Sequence, residues 1–122
     1  MYIINTNLPT NGSFKRRNKT DEIILHHAEA KSASVEEVNR WHLERGWTGI
    51  GYHFYIRKDG RIYRGRPEWA VGAHAQGHNS RAIGICVEGS YMTETMPKAQ
   101  FDALAALVRE EMAKYPGAKV LR

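Results

Sequence analysis

At 122 residues the chain has the length of one domain, enough to bury a real core and too short to divide into two. Apolar residues make up 42% and charged residues 25%, the balance of a soluble globular fold, and no run approaches the roughly 18 apolar residues of a membrane span. A net charge of +5 favours polyanions such as nucleic acid, anionic lipid or cell-wall polymers, while a single cysteine, Cys86, excludes an internal disulfide and a cysteine-rich zinc framework.

The N-terminal Met1-Tyr2-Ile3-Ile4-Asn5-Thr6-Asn7 lacks the basic and apolar regions of a secretory signal, so synthesis in the cytoplasm without a signal peptide of its own is expected. Residues 1–21 read as a basic, irregular lead-in with one short strand through Tyr2-Ile3-Ile4. Lys15, Arg16, Arg17 and Lys19 read as a flexible basic arm. No aromatic interleaving or nucleic-acid motif accompanies them, which gives little weight to nucleic acid as a partner.

Residues 22–27 form the first strand, and it ends in two histidines. Successive strand side chains point to opposite faces, so Ile23, Leu25 and His27 share one face and Ile24 and His26 the other. Such a strand tip presents either a metal ligand or general base, or a pair of half-exposed filler histidines. Ser34 and Glu37 make a capping box, and Val35, Val38 and Trp41 follow at helical spacing, predicting a helix over 35–45 that Gly46 ends. His42 on that helix reads as a packed or surface histidine.

Residues 51–57, GYHFYIR, alternate as a strand. Tyr52 is either a core tyrosine or a site group, and His53, on the opposite face, reads as structural. Lys58-Asp59-Gly60 turns the chain into a partner strand over 61–64. Residues 65–80 are glycine-rich and aperiodic, with His74, His78 and Asn79; loops of this length in small domains tend to carry function. AIGICVE at 82–88 is apolar enough for a central strand, with Cys86 as a small buried hydrophobe. Pro97 suits the first turn of a helix whose apolar residues run Phe101, Leu104, Ala105, Leu107, Val108, Met112. Tyr115-Pro116-Gly117 stops it, and Lys119-Val120-Leu121 begins another strand. The sum is an α/β layered domain, a central mixed β-sheet flanked by helices.

In their order these pieces resemble a known family. A strand ending in His26, a helix with Trp41-His42, GW-x3-GYHF, a DG hairpin with Y-x-GR, GAHA-x-GHNS and IGIC-x-EG are similar to the amidase-2 family over residues 22–122. These are zinc-dependent N-acetylmuramoyl-L-alanine amidases, including phage amidase-type lysozymes and peptidoglycan recognition proteins. The resemblance implies that His26 binds Zn2+ and that Tyr52 is catalytic, polarising the attacking water or the substrate carbonyl. It implies that His74, His78 and Asn79 line the substrate groove. Glu88 is a secondary candidate, because some muropeptide amidases use a glutamate on this strand where the present chain has Cys86.

The reaction implied is zinc-assisted hydrolysis of the amide between N-acetylmuramic acid and L-alanine of the stem peptide. The partner implied is bacterial peptidoglycan, with no membrane and, by analogy within the phage branch, a possible regulatory polymerase. A phage or prophage endolysin of this kind is made in the host cytoplasm and acts on the wall after release. The family completes its metal site after the long helix, with a second histidine and then a cysteine or aspartate. Here that point reads Ala118-Lys119-Val120-Leu121-Arg122. The remaining zinc ligands are therefore expected beyond Arg122, the domain lacking its C-terminal segment. The alternative expectation is a non-catalytic peptidoglycan-binding or regulatory module.

Overall fold

A computed structural model describes residues 1–122. In chain order the elements are β1 (Ile3–Ile4), β2 (Glu22–His27), α1 (Val35–Glu44), β3 (Phe54–Ile56), β4 (Ile62–Arg64), β5 (Ala82–Val87), α2 (Lys98–Lys114) and β6 (Lys119–Leu121). The strands form one sheet in the order β1-β4-β3-β5-β2-β6. Only the β3–β4 hairpin is antiparallel; every other neighbour is parallel. The central mixed sheet with flanking helices is thus the observed architecture, and β5 is central and buried along its whole length.

Strand alternation sorts the core into two layers. Ile23, Phe54, Ile56, Ile62, Ile83, Ile85 and Val87 cluster with Leu107 of α2. On the other face Tyr55 and Cys86 cluster with Ala33, Val35, Val38 and Ile50, under α1. The β2–β5 register sets His26 opposite Cys86 and His27 opposite Val87. Partners in register share a face, so His26 lies on the α1 side and His27 on the α2 side. On that far side His27 Nδ1 accepts a hydrogen bond from the Tyr91 amide at 3.1 Å.

The ends of elements depart from the sequence expectations in three places. The strand expected over 51–57 is confined to Phe54–Ile56. Its first residues bond elsewhere: the Gly51 amide donates to His42 Nδ1 (2.8 Å), and the Gly51 carbonyl accepts from Ala73 (3.0 Å). That approach needs glycine, since a Cβ at position 51 would fall 2.0 Å from the Ala73 oxygen. Helix α1 carries the full Ser34–Glu37 capping box and ends at Glu44, with Arg45 as cap and Gly46 at φ 85°. Pro97 precedes the first turn of α2 as its N-cap, in extended conformation.

The basic arm is also not free along its length. Arg17 is buried: its Nη1 donates to the carbonyls of Glu68 (2.5 Å) and Ala70 (2.8 Å), and its Nε donates to Thr20 Oγ1 (2.8 Å). Loop carbonyls turned inward need a donor, and a guanidinium supplies several in one plane. Lys15, Arg16 and Lys19 remain exposed.

Candidate active site

Three side chains named from the sequence meet on the α1 side of the sheet. The His26 and Tyr52 rings are 5.3 Å apart, His26 and His74 5.0 Å, and Tyr52 and His74 6.4 Å. Nε2 of His26 and Nδ1 of His74 lie 2.9 Å apart, in hydrogen-bond contact. Strand β2 delivers His26, the turn before β3 delivers Tyr52, and the 65–80 loop delivers His74. Two depressions adjoin the cluster. One of about 400 Å³ is lined by Trp47, His74, Gln76 and Asn79 among others, and a smaller one by Trp41, His42, Arg45 and Tyr52.

His74 is seated by its neighbours. A Cβ on Gly72 would lie 2.5 Å from its ring and one on Gly84 2.6 Å, so both glycines are needed to let the imidazole lie against the sheet. Asn79 Oδ1 accepts from the amides of His74 and Ala75, both at 2.9 Å, and folds the loop over the ring. His42 packs against Tyr52, with ring centroids 5.5 Å apart, and against Trp47 at 4.5 Å, both pairs tilted. Glycines 72 and 84 and the packing of His42 escaped the sequence reading. The glycine spacing around His74 was the one visible signal, since glycine in an apolar strand marks a close approach.

Electrostatics keep this face neutral. Burial lowers the pKa of His26, and it drives His74 down to about 3, helped by the positive potential of His53 and His26. His42 and His53 are each pushed down to about 4, again chiefly by burial. Burial raises the Tyr52 phenol above its ordinary range, and the Cys86 thiol beside it is pushed up to about 12. Tyr52 therefore holds its proton at any physiological pH.

A sign follows for His42 and His53. Unfolded, each takes a proton near pH 6.5; folded, only near 4. Their contribution to stability is complete above about pH 6.5 and is lost as pH falls toward 4. Histidine NMR titration is expected to find both imidazoles still neutral at pH 5.5; either one titrating near 6.5 contradicts this.

The remaining candidates lie apart from His26. His78 Nδ1 is 2.8 Å from Glu22 Oε1. Glu22 starts β2, about 13 Å along the strand from His26 at a strand's rise per residue. Glu88 is buried and fully engaged, its oxygens accepting from the amides of Ala33 and Lys58 and from Arg57. His53 is structural: Nδ1 accepts from the Gly84 amide, so Nε2 carries the proton and donates to the Ala70 carbonyl at 2.7 Å.

A catalytic zinc takes three protein ligands and keeps a position open. No three His, Cys, Asp or Glu side chains converge to hold a metal within residues 1–122. His26 fits as one ligand, because its imidazole is neutral and Nδ1 makes no hydrogen bond. Cys86 does not, because its thiol is buried, protonated and packed beside Tyr52.

The chain is similar to known proteins along most of its length. A family model described as N-acetylmuramoyl-L-alanine amidase matches residues 16–121. The endolysin of Escherichia phage T7 is 41% identical over 117 residues, covering 89% of this chain and 77% of that protein. The solved N-acetylmuramoyl-L-alanine amidase LysC from Clostridium intestinale URNW superposes with a TM-score of 0.96 at 42% identity, covering all of this chain and 82% of that one. Wild-type Drosophila PGRP-LB superposes with a TM-score of 0.86 at 32% identity, over 98% of this chain and 81% of that one. A match over most of the chain, with these identities, places it: the chain belongs to the N-acetylmuramoyl-L-alanine amidase family.

Proposed function

We propose that His26 and Tyr52 form the reacting centre of an endolysin-type amidase that cuts the bond between N-acetylmuramic acid and L-alanine of the stem peptide. The observation that carries this reading is a bare imidazole nitrogen, His26 Nδ1, beside a protonated phenol on one face of the sheet. The family is generally zinc-dependent. We assign His26 as one zinc ligand, with the others outside residues 1–122. Bound there, zinc would polarise the scissile carbonyl and lower the pKa of water from about 15.7 toward about 7.

The chain's own residues supply the rest. Tyr52 donates a hydrogen bond to the oxygen that gains charge as the carbonyl is attacked. The depression lined by Trp47, Gln76 and Asn79 holds the stem peptide or sugar next to His74. Asn79 acts there by shaping the loop, and His78 at the groove's far margin. The net charge of +5 favours an anionic wall polymer. The wall is reached after release from the producing cell, and no helix is long and apolar enough to cross a membrane.

Solubilisation of purified peptidoglycan by the full-length protein is expected to stop on chelation and return with added zinc. Activity that persists through exhaustive chelation sinks the metal assignment. Tyr52→Phe, which keeps the ring and removes the donor, is expected to lower turnover by about 10²–10³-fold with the fold unchanged. A second reading, recognition of peptidoglycan without cleavage, draws on the likeness to peptidoglycan-recognition proteins. Binding to intact peptidoglycan with no hydrolysis at saturating zinc would select it.

A further inference from the structure

Among residues other than glycine, only Glu29 has a positive φ, at 57°. A Cβ there crowds the following carbonyl oxygen, so glycine is the favoured occupant and a long charged side chain a poor one. Its neighbours impose the conformation. The Ala28 and Glu29 amides donate to the carbonyls of Val87 (2.9 Å) and Gly89 (3.0 Å), and Ala30 pairs with Gly89 in an antiparallel bridge. Further on, the Ala33 amide is tied to Glu88, and the Ala33 carbonyl accepts from Tyr55 Oη at 2.8 Å. The segment that follows His26 and His27 is therefore a fixed mount.

What the mount holds out is a carboxylate with no cation of its own. The Glu29 side chain is 76% exposed, and its one ionic contact is a long one, 3.9 Å to His27 Nε2. It lines the depression of about 130 Å³ whose wall includes Trp41 and Tyr52. Arg45 lines the same depression but lies over the Trp47 ring, at 5.3 Å, and makes no ion pair with Glu29. A turn that needed only this backbone shape would be better served by glycine. Strain of this kind persists at sites where the side chain it displays is used. We propose that Glu29 is a specificity-determining residue, its carboxylate accepting from an ammonium group of the stem peptide while the scissile amide lies against Tyr52. This rests on the Tyr52 face being the place where the muramoyl–alanine bond is cut, as proposed above. A charge-assisted hydrogen bond is about twice as strong as a neutral one, so the contact discriminates a free amine from a blocked one.

The test pairs two variants of the full-length protein with two soluble muropeptides, one with its stem-peptide amine free and one with that amine acetylated. Glu29→Gln keeps the side chain's length and removes its charge. Glu29→Gly removes the strain together with the carboxylate. On the free-amine muropeptide both variants are expected to keep kcat while KM and the calorimetric Kd rise about tenfold, the pattern of lost ground-state binding. On the acetylated muropeptide the wild type and both variants are expected to bind alike. Glu29→Gly is also expected to unfold about 2–5 °C above the wild type. Glu29→Gln with KM and Kd within twofold of wild type on the free-amine muropeptide overturns the proposal. So does a rise of equal size on the acetylated one, or a stabilised Glu29→Gly variant that binds as the wild type does. A wild type that binds the muropeptide without cutting it sinks the amidase reading alone, and the Kd comparison still decides Glu29.

Discussion

His26→Ala in the full-length protein is expected to lower the rate of peptidoglycan hydrolysis about a thousandfold and to leave the fold intact. Lewis-acid stabilisation of the developing charge is worth several kcal/mol, and each 1.36 kcal/mol is a factor of ten in rate. Removing one of about three ligands forfeits most of that at working zinc concentrations. The cost to the fold is small by comparison. His26 is half-buried at the strand tip, and its one hydrogen bond, to His74, is worth about 1 kcal/mol. Ile23 and Ile24, deeper in β2, carry the packing and are untouched. Hydrolysis rate and far-UV circular dichroism, measured together, decide the matter. A folded variant within tenfold of the wild-type rate removes His26 from the reaction.

Glu88→Ala is expected to do the reverse, lowering stability by about 3 kcal/mol while sparing turnover of the molecules that remain folded. The carboxylate accepts from the Ala33 amide at 2.8 Å, the Lys58 amide at 2.8 Å, and Arg57 Nη2 and Nε at 2.8 and 3.2 Å. Burial by itself would raise its pKa, yet these bonds hold it below the usual carboxylate range. Truncation orphans the amide of Ala33, a residue with no exposed surface, and leaves Arg57 unpaired. Breaking a buried pair costs about 3–5 kcal/mol, and the partial exposure of Arg57 argues for the lower end. The unfolding midpoint should fall by about 10 °C. An unchanged midpoint with lost turnover would instead make Glu88 a catalytic group.

These two residues also mark how far the sequence could be read. Both lie at strand ends and both looked like chemistry. Alternation along β2 was enough to put His26 and His27 on opposite faces, and the β2–β5 register agrees. Tyr52 was legible only through its motif, because Gly51 bonds with α1 and the 65–80 loop, and the Tyr52 carbonyl accepts from Arg66 of that loop. Period-two reasoning extends a strand until something stops it, and here the stop is a tertiary hydrogen bond.

Glu88 could not be separated from a catalytic carboxylate because its partners are 30 to 55 positions away in sequence. Arg17 failed the expectation of a flexible arm for the same reason. Its acceptors belong to Glu68 and Ala70, and nothing near position 17 announces them. Local pattern reports local partners; long-range polar contacts appear only in the folded chain. His74 is intermediate. Its motif marked it as a groove residue, while the slot between Gly72 and Gly84 and the contact with His26 needed the fold.

Product analysis of digested peptidoglycan tests the central claim most directly. The full-length protein with zinc is expected to release stem peptides with a new free amino group on L-alanine, leaving glycan strands whole. New reducing sugar ends with intact muramoyl–alanine bonds would contradict amide hydrolysis at the His26–Tyr52 face.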